Sequence, residues 1–236
     1  MIPLRDSIRS RRFPLVTTLI IAVNVLVFLH EAGLSPAARA AFTASWGFTP
    51  AALFGPWGGV PPFPGAPGPG AGAVPAVVTL VTSIFLHGGL AHLGGNMLFL
   101  WVFGDNVEDR LGRPRFLFFY LAAGALANVT HGLAASASHV PVIGASGAVA
   151  GVLGAYFLAF PRSRITSLVF LGIFVTLAQV PAVVFLVLWF VYQLLMGLLS
   201  AGAAGQVVAW WAHVGGFVAG GALYYLLRRR QPRHVF

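Results

Sequence analysis

Cysteine is absent from this 236-residue chain, which excludes disulfides, thiol nucleophiles and thiolate metal sites. Lysine is absent too: all 14 basic residues are arginine, set against five acids. Charged residues make up only 8% of the chain, where soluble domains carry about 25%. That shortage excludes an ordinary soluble domain. No internal repeat is visible, which argues against a transporter built from two halves. The net charge of +9 belongs with topology and lipid headgroups rather than with nucleic acid, because arginine position is what matters at a membrane.

What is present is apolar: 58% of the residues are hydrophobic. The pattern predicts an all-α polytopic membrane protein, six transmembrane helices in a compact bundle with a long first loop. The expected helices are about 14–30, 88–103, 115–135, 145–160, 181–199 and 207–227, in one membrane domain over 14–228. Residues 1–13 and 229–236 read as short cytoplasmic segments. The first apolar run is too long for a signal peptide and lacks a small-residue cleavage site, so it reads as a retained helix. The run 165–180 is apolar and β-branched, and reads as a re-entrant segment or as part of the fifth helix. Between the first two helices, a stretch through Gly72 is too rich in Pro and Gly for a regular element, and its aromatics suit the membrane interface.

Arginine placement supports six spans. Thirteen arginines fall on one side of this arrangement and only Arg39, in the first loop, on the other. The positive-inside rule then puts both termini in the cytoplasm of a cell, with the protein in its plasma membrane.

Polar groups inside the spans are few, and each is a functional candidate because burying it in lipid is costly. They are Asn24, His92, Asn96, Asn128, His131, Ser146, Gln193 and His213, with His87 just before the second helix. Ser146 lies between Gly144 and Gly147 at the head of the fourth helix, where free N–H groups favour a developing oxyanion. At 1.5 Å per residue, Ser146, His92 and His213 all lie roughly 20 Å or more from the arginine-rich ends of their helices. His92 and Asn96 share one helix face at i and i+4. These residues supply a nucleophile (Ser146), a base (His213) and oxyanion donors (His92, Asn96), with no carboxylate to orient the imidazole. Asn128 and His131 reach similar depth and stay open as rivals. Asn24, Asn128, His131 and Gln193 otherwise read as interhelical glue. Gly147 and Gly151, like Gly216 and Gly220, form small-residue faces that would let the fourth and sixth helices approach closely.

Together these motifs resemble the rhomboid family of intramembrane serine proteases. The resemblance rests on His87-Gly-Gly-Leu-Ala-His92-Leu-Gly-Gly-Asn96, on Gly144-Ala-Ser146-Gly147 and on Ala212-His213-Val-Gly-Gly216-Phe-Val-Ala-Gly220. It implies Ser146 as nucleophile, His213 as general base, and His92 and Asn96 as oxyanion stabilisers. His87 takes a structural or water-organising role. It further implies single-span membrane proteins as substrates, cut near the outer face, and a long first loop that is partly membrane-embedded. The expected partners are such substrates and the lipid bilayer, with no cofactor, no metal and no nucleic acid. Two departures stand out. Some members carry an aromatic four residues after the serine, where this chain has Ala150, and the first loop lacks an adjacent Trp-Arg pair. A catalytically inactive relative that binds membrane-protein clients is the alternative reading. A metal site on His87, His92 and His213 is a third, which leaves the glycine-flanked serine without a purpose.

Overall fold

The computed structural model describes residues 1–54, 74–172, 174–200 and 208–228. The expected tail 229–236, the onset of the sixth helix at 207 and most of the Pro/Gly-rich stretch lie outside these residues. Among the described residues the protein is mostly helical. The helices are α1 (Leu15–Gly33), α2 (Pro36–Trp46), α3 (Pro50–Phe54), α4 (Ala76–Thr82), α5 (Leu90–Leu111), α6 (Arg113–Ala134), α7 (Ser146–Ala159), α8 (Ala182–Leu199) and α9 (Trp210–Leu227). By length and composition, α1, α6 and α8 can each cross a membrane. The α4–α5 pair, bent by 85°, makes a fourth span if counted as one. Among the described residues, length and composition alone therefore support a membrane protein with three or four candidate spans, and α7 has only 14 residues.

α7 sits at the centre. Every residue from Gly147 to Tyr156 is buried, as expected of a helix that is apolar all round. It crosses α9 at glycines. A Cβ on Gly216 would land on the carbonyl oxygen of Gly147, and one on Gly220 on that of Gly151. Backbones this close leave no room for side chains, so the two glycine faces do meet. Below the crossing, Phe103, Tyr156 and Phe185 lock α5, α7 and α8 together, with Phe103 5.0 Å from Tyr156 and 6.1 Å from Phe185 between ring centroids.

Two expectations about the arginine-rich end need correction. The fold is not purely helical, and 165–180 is not part of the fifth helix. β2 (Arg164–Leu171) and β3 (Phe174–Pro181) form an antiparallel hairpin, and β1 (Ile2–Asp6) pairs with β2 in a sheet of order β1-β2-β3. A continuous run of β-branched and aromatic residues fits a strand as well as a buried helix, and Gly172, at φ +64°, makes the turn. The first segment is fastened below the bundle: the Asp6 carboxylate accepts hydrogen bonds from Tyr156 and from Asn106, the latter at 2.9 Å.

The second correction concerns α5, which continues through Gly104 and Asp105 to Leu111 rather than ending near Phe103. Its Glu108 is buried because the head of α1 satisfies it. The Val16 and Thr17 N–H groups donate at 3.1 and 2.8 Å, and the Thr17 hydroxyl at 2.8 Å. A carboxylate at a helix N-terminus is a favourable pairing. The first-loop region also holds more regular structure than its composition suggests. α2 is capped by Ser35, whose hydroxyl accepts from the Ala38 N–H, with Pro36 opening the helix.

Candidate active site

Ser146 is the first residue of α7, and Gly144 two positions earlier has φ +121°. That conformation suits glycine, and space demands it as well. A Cβ on Gly144 would lie 2.6 Å from the His92 ring, which packs directly on this backbone. The small residues before the serine therefore let α5 approach the turn that carries Ser146.

The glycine crossing of α7 and α9 brings His213 to Ser146, and the imidazole Nε2 lies 2.8 Å from the hydroxyl. On the other side of the ring, Nδ1 lies 2.7 Å from the carbonyl oxygen of Gln193 in α8. A carboxamide oxygen only accepts, so Nδ1 carries the proton and Nε2 is free to accept from Ser146. Trp189 and Trp210 flank the ring, each 6.1 Å from it between centroids. The imidazole is therefore not oriented by packing alone. Gln193, which reads from sequence as interhelical glue, holds its tautomer. The one carboxamide inside the α8 span was a visible signal, but its partner depends on how α8 and α9 pack.

Asn96 Nδ2 lies 3.1 Å from His87 Nε2, which makes that nitrogen the acceptor. The Ala145 N–H points at the same nitrogen from 3.5 Å. His87 is fully buried, its ring 5.1 Å from that of His92. It thus lies beneath the site, bridging α5 and the turn that carries Ser146. Asn128 is elsewhere engaged: it donates to the Leu80 carbonyl and the Ser83 hydroxyl, both at 2.9 Å. Asn24 donates to its own helix, to the Ile20 carbonyl at 2.8 Å. His131 is buried, its Nδ1 without a partner among the described residues, and the hydrogen bond to Ser146 goes to His213 instead.

His92, Asn96, His131, Ser146, Gln193 and His213 all line one cavity of about 1490 Å³. Its rim is formed by the segments before α5, between α6 and α7, and before α9. These lie at the end of the bundle opposite the arginine clusters. The volume exceeds the range of about 300–1,000 Å³ usual for small-molecule pockets. Among the described residues, no three His, Asp or Glu side chains gather to hold a metal ion.

The chain is 30% identical over 148 residues to the human mitochondrial presenilin-associated rhomboid-like protein, covering 60% of this chain and 35% of that one. It is 38% identical over 101 residues to the mitochondrial Rhomboid protein 1 of Saccharomyces cerevisiae, 41% of this chain and 29% of that one. It is 47% identical over 76 residues to the rhomboid protease GluP of Bacillus subtilis, 32% of this chain and 14% of that one. The matched stretch thus spans about a third or less of these relatives' lengths. The rhomboid domain family model matches residues 75–230, the segment that contains Ser146, His213, His92 and Asn96, and the chain is a membrane protein of the rhomboid family.

Proposed function

We propose that this chain is an intramembrane serine endopeptidase. The observation that carries the proposal is the file of hydrogen bonds Gln193–His213–Ser146 beside a wide cavity at the head of a buried helix. His213 Nε2 takes the Ser146 proton as the hydroxyl oxygen attacks a peptide carbonyl. The charge on the resulting imidazolium is stabilised by the Gln193 carbonyl oxygen on Nδ1. The oxyanion is held by the backbone N–H at the head of α7, with Asn96 and His92 as side-chain donors. Each such donor is worth about 10²–10³ in rate. His213 then returns its proton to the leaving amine. A water reaching the acyl-enzyme through the cavity completes hydrolysis, with His213 again as base.

The same reading gives six spans, with α7 and α9 as two of them despite their length and composition. It puts the arginine-rich end and both termini in the cytoplasm of a bacterial cell. Substrates are single-span membrane proteins cut near the outer face, where a locally unwound helix exposes a carbonyl. Gly or other helix-weakening residues near the scissile bond should help.

The test is reconstitution into liposomes with a single-span reporter carrying a Gly-rich outer turn, with products mapped by mass spectrometry. Cleavage in the outer part of the reporter helix that disappears in Ser146→Ala and His213→Ala is the expected result. Cleavage that persists in Ser146→Ala would overturn the assignment.

A further inference from the structure

Glu31 is fully buried in the last turn of α1, and the reaction proposed above makes no use of it. Its Oε2 accepts the backbone N–H of His87 at 3.1 Å, while Oε1 has no hydrogen-bond partner among the described residues. Arg39, in α2, donates from Nη2 to the backbone carbonyl of the same residue at 3.3 Å. Both backbone groups of His87 are thus held by charged side chains from the first 40 residues. The imidazole of His87 in turn accepts from Asn96 at 3.1 Å and faces the N–H of Ala145 at 3.5 Å. One residue therefore connects α1 and α2 to the Asn96 side chain and to the turn that precedes Ser146.

Burying a carboxylate is expensive unless its bonds are made, and an ordinary loop N–H needs no such acceptor. The placement also accounts for Arg39, the one arginine away from the arginine-rich side. A displacement of His87 by a fraction of an ångström would move Asn96 and the Ala145 backbone together. Donors to a developing oxyanion are sensitive to shifts of that size.

We infer that Glu31 and Arg39 are positioning residues: they fix the His87 backbone and, through its ring, align Asn96 and the nucleophile turn for oxyanion binding. This rests on the serine-protease reading. Neither residue touches the reacting atoms. Their effect belongs on the chemical step rather than on binding, and it passes through Asn96.

The experiment measures labelling of the full chain in detergent by a fluorophosphonate probe. Maximum rate and half-saturating concentration are read separately for wild type, Glu31→Ala, Glu31→Gln, Arg39→Ala, Asn96→Ala and the doubles. Glu31→Ala should lower the maximum rate about 10- to 100-fold, as loss of an outer-shell partner does. The half-saturating concentration should stay unchanged. Glu31→Gln keeps an acceptor oxygen and should remain within about threefold of wild type. In the Asn96→Ala background the Glu31→Ala effect should shrink to about twofold, because coupled residues are not additive. Where Glu31→Ala does not fold, the half-buried Arg39→Ala should show the same non-additivity with a fall of about three- to tenfold. Additive effects, a changed half-saturating concentration alone, or no fall at all would overturn the positioning role while leaving the nucleophile assignment intact. Failure of wild type to label would overturn the serine-protease reading, and this inference with it.

Discussion

The carbonyl oxygen of Gln193 lies 2.7 Å from His213 Nδ1, on the side of the imidazole turned away from Ser146. A neutral acceptor here occupies the place where many serine hydrolases set a carboxylate. It fixes the tautomer without placing a charge within the membrane span, where one would be costly. Gln193→Ala should lower the turnover of a single-span reporter by about 10- to 100-fold, the usual cost of losing an orienting partner, with little change in KM. An unchanged turnover number would show that the flanking tryptophans suffice.

The α7–α9 crossing sets the Ser146–His213 distance, so its glycines should be intolerant. Gly216→Ala and Gly220→Ala each place a methyl group against a backbone carbonyl. They should destabilise the protein by about 1–3 kcal/mol, the usual cost of overpacking, and lower activity further by parting the two residues. Gly221 is the control. A Cβ there comes no nearer than 3.4 Å to Leu158 Cδ1, an ordinary contact, so Gly221→Ala should leave both unchanged. Thermal unfolding in detergent beside reporter cleavage separates the two effects.

Asn128 is bonded to Leu80 and Ser83 rather than to Ser146 or His213. Asn128→Ala should therefore cost stability, on the order of 1 kcal/mol per lost interhelical bond, while leaving the turnover number of the folded protein intact. A fall in turnover at unchanged stability would place Asn128 in the chemistry.

How far the sequence announced this arrangement depends on where each signal lies. Ser146 and His213 could be read because the glycines beside them mark a close helix crossing on the same stretches of chain. Gln193 could be seen as a lone polar group but not paired, since nothing in one helix states which neighbour it meets. Glu31 stood at the end of a span and Arg39 in a loop, and only the folded path of His87 joins them. The β2–β3 hairpin was hidden because a continuous apolar run suits either kind of element. The extension of α5 was hidden because Gly104 and Asp105 look like a helix end, while the N–H groups that satisfy Glu108 come from residues 91 and 92 positions away.

Asp6 lies outside the spans, and burial pushes its carboxyl above the usual range, with the hydrogen bond from Tyr156 acting the other way. The folded state therefore holds this proton more tightly than the unfolded chain. The sign follows: Asp6 carries no penalty well below its unfolded value of about 4. Its ionisation destabilises the fold as pH rises from there through the raised folded value, and the effect levels off above it. The difference in melting temperature between wild type and Asp6→Asn should vary over that window and be flat at higher pH. A difference that keeps one value from pH 4 to pH 8 would contradict this.

The central claim is that His213 activates Ser146, and covalent labelling tests it most directly. Purified protein in detergent is treated with a fluorophosphonate and weighed intact, beside Ser146→Ala and His213→Ala. A single adduct on wild type that is absent from both variants is the expected result. Folded wild type without an adduct, or an adduct that survives Ser146→Ala, would contradict the account.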